Sequence, residues 1–128
     1  MGYMRDHAIV VTCFEEELLL TARRKAIALF GVGQVSAILK ALVNDYTSFC
    51  VGPDGSKEGW AESDEGDAKR ASFVEWLDQQ RETDGSSALR WVVVQYGDDE
   101  GVSFVVTHSD EERRIAEGAA RERRRNKQ

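Results

Sequence analysis

Residues 48–67 carry the chain from the apolar run Phe49-Cys50-Val51 through Gly52-Pro53-Asp54-Gly55 and into an acidic helix start, and no other segment restricts the fold as tightly. Pro53 presets φ, Asp54 bonds local backbone amides and Gly55 accepts positive φ, so the chain reverses or veers at this point. A strand therefore ends at Val51 and a helix follows. Ser63 or Asp64 is the expected N-cap, with Asp64, Glu65 and Asp67 complementing the positive end of the helix dipole. Phe73, Val74, Trp76 and Leu77 supply the apolar face, and the helix is expected to stop near Gln80.

The flanks extend this frame. Residues 7–14 (HAIVVTCF) form a β-branched run suited to a central strand. Residues 15–30 change period, with Leu18, Leu19, Ala22, Ala26, Leu29 and Phe30 near one helical face and Gly31 and Gly33 beyond its end. The run 35–43 reads as a short strand between Gly-rich punctuation and Asn44-Asp45, followed at hairpin distance by a strand over 46–51. Residues 89–96 and 102–107 form a hairpin around 97–101. The order is β-α-β-β-α-β with an added C-terminal strand, the ferredoxin-like split βαβ plan of the α+β class. Right-handed crossovers place the first strand between the third and fourth, with the second and fifth at the edges and both helices on one face. Along the fourth strand, Trp91, Val93 and Gln95 alternate with Arg90, Val92, Val94 and Tyr96. Both sides carry apolar residues, which predicts a second face that is partly covered or joined to another copy as a homodimer.

A length of 128 residues with 41% hydrophobic content supports one domain, placed at 1–110, followed by a basic helical or frayed tail at 111–128. That tail carries seven basic against four acidic residues, which leaves nine net negative charges on residues 1–110 of a chain whose formal charge is -6. An acidic body repels nucleic acid and favours basic partner surfaces. No stretch reaches the roughly 18 apolar residues of a membrane span, and no signal-peptide core is present, so a cytosolic protein without membrane partners is expected. Cys13 and Cys50 lie in apolar runs where cysteine behaves as a small hydrophobe.

Several constellations bear on chemistry. Glu58, Glu62, Asp64, Glu65 and Asp67 offer oxygens to a hard cation, but their order is not that of a calcium loop and helix capping accounts for them, so no metal or cofactor is expected. A thiol site built from Cys13, Cys50 and either His7 or His108 is weighed against buried cysteines that lack electropositive exposure. Gly52, Gly55, Ser56, Lys57 and Gly59 precede a helix as phosphate loops do, yet the Walker order is absent and nearby carboxylates repel phosphate. Lys57 and Trp60 still pair a cation with a stacking surface, which keeps a small anionic or nucleotide ligand of the 52–60 loop as an alternative. Arg121, Arg123, Arg124, Arg125 and Lys127 can touch nucleic acid by charge alone. The sheet lacks the aromatic run of an RNA-binding surface.

The signature Ser48-Phe49, Pro53-Asp54-Gly55-Ser56-Lys57-Glu58-Gly59-Trp60, Glu62-Ser63-Asp64 and Gly66-Asp67 resembles a group of short uncharacterised proteins of bacteriophages, prophages and mobile elements. Similarity extends from His7 through Tyr96-Gly97-Asp98-Asp99, and Met4 is an alternative start that makes Met1, Gly2 and Tyr3 an extension. No activity or catalytic residue comes with the resemblance. It implies a setting in the bacterial cytosol, where small acidic proteins of this kind bind host proteins, antiviral defence components among them. The expectation is a non-enzymatic binding protein that meets a basic host surface through Lys57, Glu58, Trp60, Glu62, Asp64, Glu65 and Asp67. Trp60 is the aromatic anchor in that reading. An enzyme ranks third, because no nucleophile or positioned histidine lies beside the carboxylates.

Overall fold

The β-branched run near the N-terminus organises everything else. In the computed structural model, which describes residues 4–53, 56–57, 61–81, 84–97 and 101–109, this run is β1 (Met4–Cys13). It is followed by α1 (Glu16–Phe30), a 3-10 turn (Val32–Gln34), β2 (Leu39–Lys40), β3 (Thr47–Val51), β4 (Ser56–Lys57), α2 (Ala61–Gln79), β5 (Arg90–Tyr96) and β6 (Phe104–His108). The antiparallel sheet has the order β2-β3-β1-β5-β6, with β4 paired to the start of β1. The chain is therefore an α+β protein compatible with the ferredoxin-like plan, and β1 lies between β3 and β5 as the crossover rule requires.

Register decides which side chains meet the helices. Val11 pairs with both Phe49 and Trp91, and Ile9 with Val51 and Val93, so one face presents a continuous apolar row. Leu19, Ala22 and Ala26 of α1 and Phe73 and Leu77 of α2 close over that row. Each large side chain buried this way contributes about 1.5–3 kcal/mol. The opposite face shows Val10, Cys50, Val92 and Val94, half-buried among their neighbours. The β5–β6 register shifts between Val93 and Val94, which pair with Thr107 and Val105, so β6 carries the extra residue, Val106.

Two expectations are corrected. The strand read over 35–43 is instead a 3-10 turn, a single bridge from Val35 to Val51, and the two residues of β2. Gly31, at φ 87, caps α1 and turns the chain, and Ser36 then takes over the pairing: its N–H donates to the Cys50 carbonyl and its hydroxyl accepts the Cys50 N–H, both at 2.8 Å. Only Val35 and Ile38 reach the core, whereas Leu42 and Val43 are almost fully exposed. The second correction concerns the cap. α2 begins at Ala61, so Ser63 and Asp64 lie inside its first turn, and Ser63 is buried. The turn at 52–55 also works differently from expectation at its first residue. Gly52 has φ 103, and a Cβ there would sit 2.5 Å from the His7 carbonyl oxygen, so the chain passes β1 too closely for any side chain. Asp54 and Gly55 lie outside the described residues.

Candidate binding groove

The two helices named above do not span all five strands of the sheet. Among the described residues α1 packs on β1, β3 and α2, and α2 is the outer of the two helices. Among the described residues the helix side of the sheet is open between α2 and the β5–β6 edge, leaving a groove of about 480 Å³. Its floor is apolar: Val74 from α2, Trp91 and Val93 from β5, and Val106, the β6 residue that the register shift leaves unpaired. Its α2 wall carries Asp67, Ala71, Glu75 and Asp78. With Asp64 these positions recur at helical spacing and share one flank.

One end of the groove is cationic at its base. Arg70 occupies a position on the buried face of α2, in line with Ser63, Phe73 and Leu77, and is only 8% exposed. It pairs with Asp67, which Arg5 also approaches at 3.8 Å. Burial first, and repulsion from Arg5 second, push the Arg70 pKa down to about 10, so the guanidinium remains charged at neutral pH. His7, buried beside it, is held below its ordinary pKa of 6.5 by burial and then by Arg70 and Arg5, with Asp67 and a hydrogen bond to Gln95 opposing. This histidine is neutral at physiological pH.

At the other end, Asp78 and Arg81 form an ion pair while Arg81 donates to the carbonyls of Asp78 and Gly85, both at 3.0 Å. The α2–β5 connection is tied down there. The backbone N–H of Trp91 donates to Ser109 Oγ at 3.1 Å. The Trp91 ring is 6% exposed, and its buried indole N–H has no acceptor among the described residues. An unmet indole donor in an apolar floor is costly, on the order of 1–3 kcal/mol.

The expected site residues separate. Asp64 and Asp67 fall on the groove flank, whereas Glu62 and Glu65 are exposed on the other flank, in helical line with Lys69 and Trp76. Lys57 belongs to β4, where its backbone pairs with Met4. Glu58 and Trp60, like Arg121, Arg123, Arg124, Arg125 and Lys127, lie outside the described residues. The thiol arrangement is overturned. Cys13 faces the helices opposite Thr47, while Cys50 faces the other side of the sheet opposite Val10. Burial and the nearby Glu15 carboxylate push the Cys13 thiol pKa up, although the Glu15 N–H donates to its sulfur at 3.3 Å. Among the described residues no three of His, Cys, Asp and Glu gather as a metal site, and no helix is long and apolar enough to cross a membrane.

Sequence reasoning missed Arg70, Trp91 and Val106, and weighed His7 only as a partner for the cysteines. Arg70 left a signal, because a charge at a position where the α2 period calls for an apolar residue marks something beyond packing. Comparison with protein-family models, curated proteins and solved structures gave no match.

Proposed function

We propose that the protein is a non-enzymatic binding protein, phage-encoded as its signature motif implies, that holds a basic segment of a host protein. The observation that supports this reading is the pairing of an apolar floor, Val74, Trp91, Val93 and Val106, with a wall carrying Asp67, Glu75 and Asp78. Such a surface accepts a side chain with an apolar stem and a cationic head, or an apolar anchor flanked by Lys and Arg. The proposal keeps Asp64 and Asp67 from the expected set and extends the contact from the Trp60 loop and helix start along the flank of α2.

The test is recovery from host lysate by the wild-type protein and by an Asp67→Lys, Glu75→Lys, Asp78→Lys variant, followed by titration of the purified partner at two salt concentrations. Loss of binding in the variant and salt sensitivity in the wild type are expected. Equal affinity of both proteins for the same partner sinks the reading. A Trp60→Ala, Asp64→Lys variant measures how much the preceding loop adds. Capture of a nucleotide by Lys57 and Trp60 is the alternative reading, and native mass spectrometry of freshly purified protein would show it as a retained ligand.

A further inference from the structure

Leu42 and Val43 stand almost fully in water at the tip of the turn 41–46, at the sheet edge away from the groove. We infer that this tip docks in the groove of a second copy, with Leu42 and Val43 over Val74, Trp91 and Val106 and with Lys40 against Glu75. The inference deepens the groove reading above and rests on it, because the second copy supplies the apolar anchor and flanking cation that the groove accepts.

The tip is built, not loose. The Ala41 N–H donates to the Tyr46 carbonyl at 2.9 Å, and Asn44 Oδ1 accepts the Tyr46 N–H at 3.1 Å. The Tyr46 ring stands edge-on to Phe14. Two branched side chains are thus displayed in one place, and docking them orders little that is not ordered already. Leu39 and Phe14, both exposed, widen the apolar patch around them.

The sheet decides between one copy and two. β2, which leads into the tip, and β6, which borders the groove, are opposite edges of the order β2-β3-β1-β5-β6. Four strand spacings of about 4.8 Å hold them about 19 Å apart, so the tip cannot enter its own groove. Tip and groove are different surfaces, and the contact is heterologous, able to pass from copy to copy.

The chemistry of the two surfaces matches. Asp67 and Asp78 of the wall already pair with Arg70 and Arg81, so among the described residues Glu75 is the carboxylate left for an incoming cation. Lys40 is exposed and precedes Leu42 by about 7 Å of extended chain, while Glu75 adjoins Val74 on α2. An anchor over Val74 therefore leaves Lys40 within reach of Glu75. Glu16 and Asp45 lie beside the tip in its own copy, but residues 18–44 hold four basic and no acidic residues, and Arg23 reaches Ser36 on the same edge. Asp45 has a counter-charge at the Arg70 end of the groove. An exposed turn also brings peptide carbonyls, the acceptor that the Trp91 indole N–H lacks among the described residues.

The test is sedimentation velocity of the full chain over a concentration series. The wild type is expected to gain mass as concentration rises. A tip variant, Leu42→Asp with Val43→Asp, and a groove variant, Ala71→Arg with Glu75→Lys, are each expected to stay monomeric. All four positions are exposed, so folding is not at stake, and circular dichroism checks it. Mixed together, the two variants are expected to form a one-to-one complex and stop there, because the mixture holds one working groove and one working tip. Lys40→Glu alone weakens association roughly fivefold, the upper range for an exposed ion pair, and Glu75→Lys in the same chain restores it. A wild type that stays monomeric, a variant that assembles as the wild type does, or variants that fail to join when mixed overturns the inference. The tip variant keeps its groove, so its recovery of a host protein tests the groove reading separately, and the two failures are told apart.

Discussion

α1 and α2 lie side by side on the same sheet and are built for different ends. The buried stripe of α1 is Leu19, Ala22 and Ala26, wholly apolar, and its flank is used in packing, with Arg23 donating to the Ser36 carbonyl at 2.9 Å to hold the turn that follows. The buried stripe of α2 contains Ser63 and Arg70 among its apolar residues, and its outer flank lines the groove. Phe73 joins the two helices, stacked on Trp76 and edge-on to Phe30. A charge on the inner face of a helix is an expense in stability that α1 avoids and α2 accepts. The difference marks α1 as scaffold and α2 as the helix whose outer flank lines the groove.

The largest effect that bears on this contrast is truncation of the shared core. Leu19→Ala and Phe73→Ala each lose about 2–5 kcal/mol, because both side chains are fully buried and no neighbour is free to fill the space. Urea unfolding measures it. If the α2 substitution cost less than ~1 kcal/mol while the α1 substitution cost the full amount, α2 would be a loosely attached helix rather than half of the core.

Arg70→Met comes next and is expected to change stability by less than about 1 kcal/mol, or to raise it, since a buried guanidinium loses hydration that an apolar side chain of similar length never had. Asp67 keeps Arg5 as a partner in that variant. A loss above ~3 kcal/mol would make Arg70 a structural keystone and would erase the distinction drawn between the helices.

The same cluster gives the molecule a pH dependence. His7 binds a proton less readily in the folded protein than in the unfolded chain, first because it is buried and then because Arg70 and Arg5 repel the charge. Below its ordinary pKa of 6.5 the unfolded chain takes up a proton that the folded protein refuses. The stability from neutral His7 is therefore complete above that pH and is lost as pH falls toward the lowered value. Thermal unfolding across that window reads the slope, and NMR titration of His7 reads the cause. In Arg70→Met the His7 pKa rises and the slope shallows, though burial, the larger cause, keeps both from reaching zero. An unchanged His7 titration in that variant would remove Arg70 from the account.

How much of this could be read in advance follows from what a sequence window records. The hairpin of β5 and β6, the place of β1 at the centre and the end of α1 at Gly31 were all legible, because alternation, turn residues and crossover handedness are local or nearly local. The 35–43 run was not. Its residues are apolar enough for a strand, but Gly31 redirects the chain and Ser36 claims the Cys50 backbone groups, leaving β2 only two residues. The groove was legible only in part. Asp64 and Asp67 stood out as acids, but their separation from Glu62 and Glu65 depends on which flank of α2 lacks a neighbour. That is settled by counting helices against strands in three dimensions. Trp91 read as one more core aromatic, and nothing in its sequence neighbourhood reveals that its indole donor goes unmet among the described residues.

The smallest effect tests the scaffold from its surface. Glu15 makes no side-chain cap to α1, so Glu16 and Glu17 in the first turn act on the helix through its dipole alone, at about 0.3–1 kcal/mol each when salt is low. Glu16→Gln, Glu17→Gln should lower stability by that amount in dilute buffer and by almost nothing at ~1 M salt, where charges are screened within about 3 Å. Neither residue lines the groove, so the variant should leave the affinity of a partner bound there as it is. The matching substitution on the other helix, Glu75→Gln, should behave in the opposite way, with little change in stability and a loss of salt-sensitive contact. If the α1 pair weakened that contact as much as the Glu75 substitution, overall negative charge rather than the flank of α2 would be what a basic segment recognises.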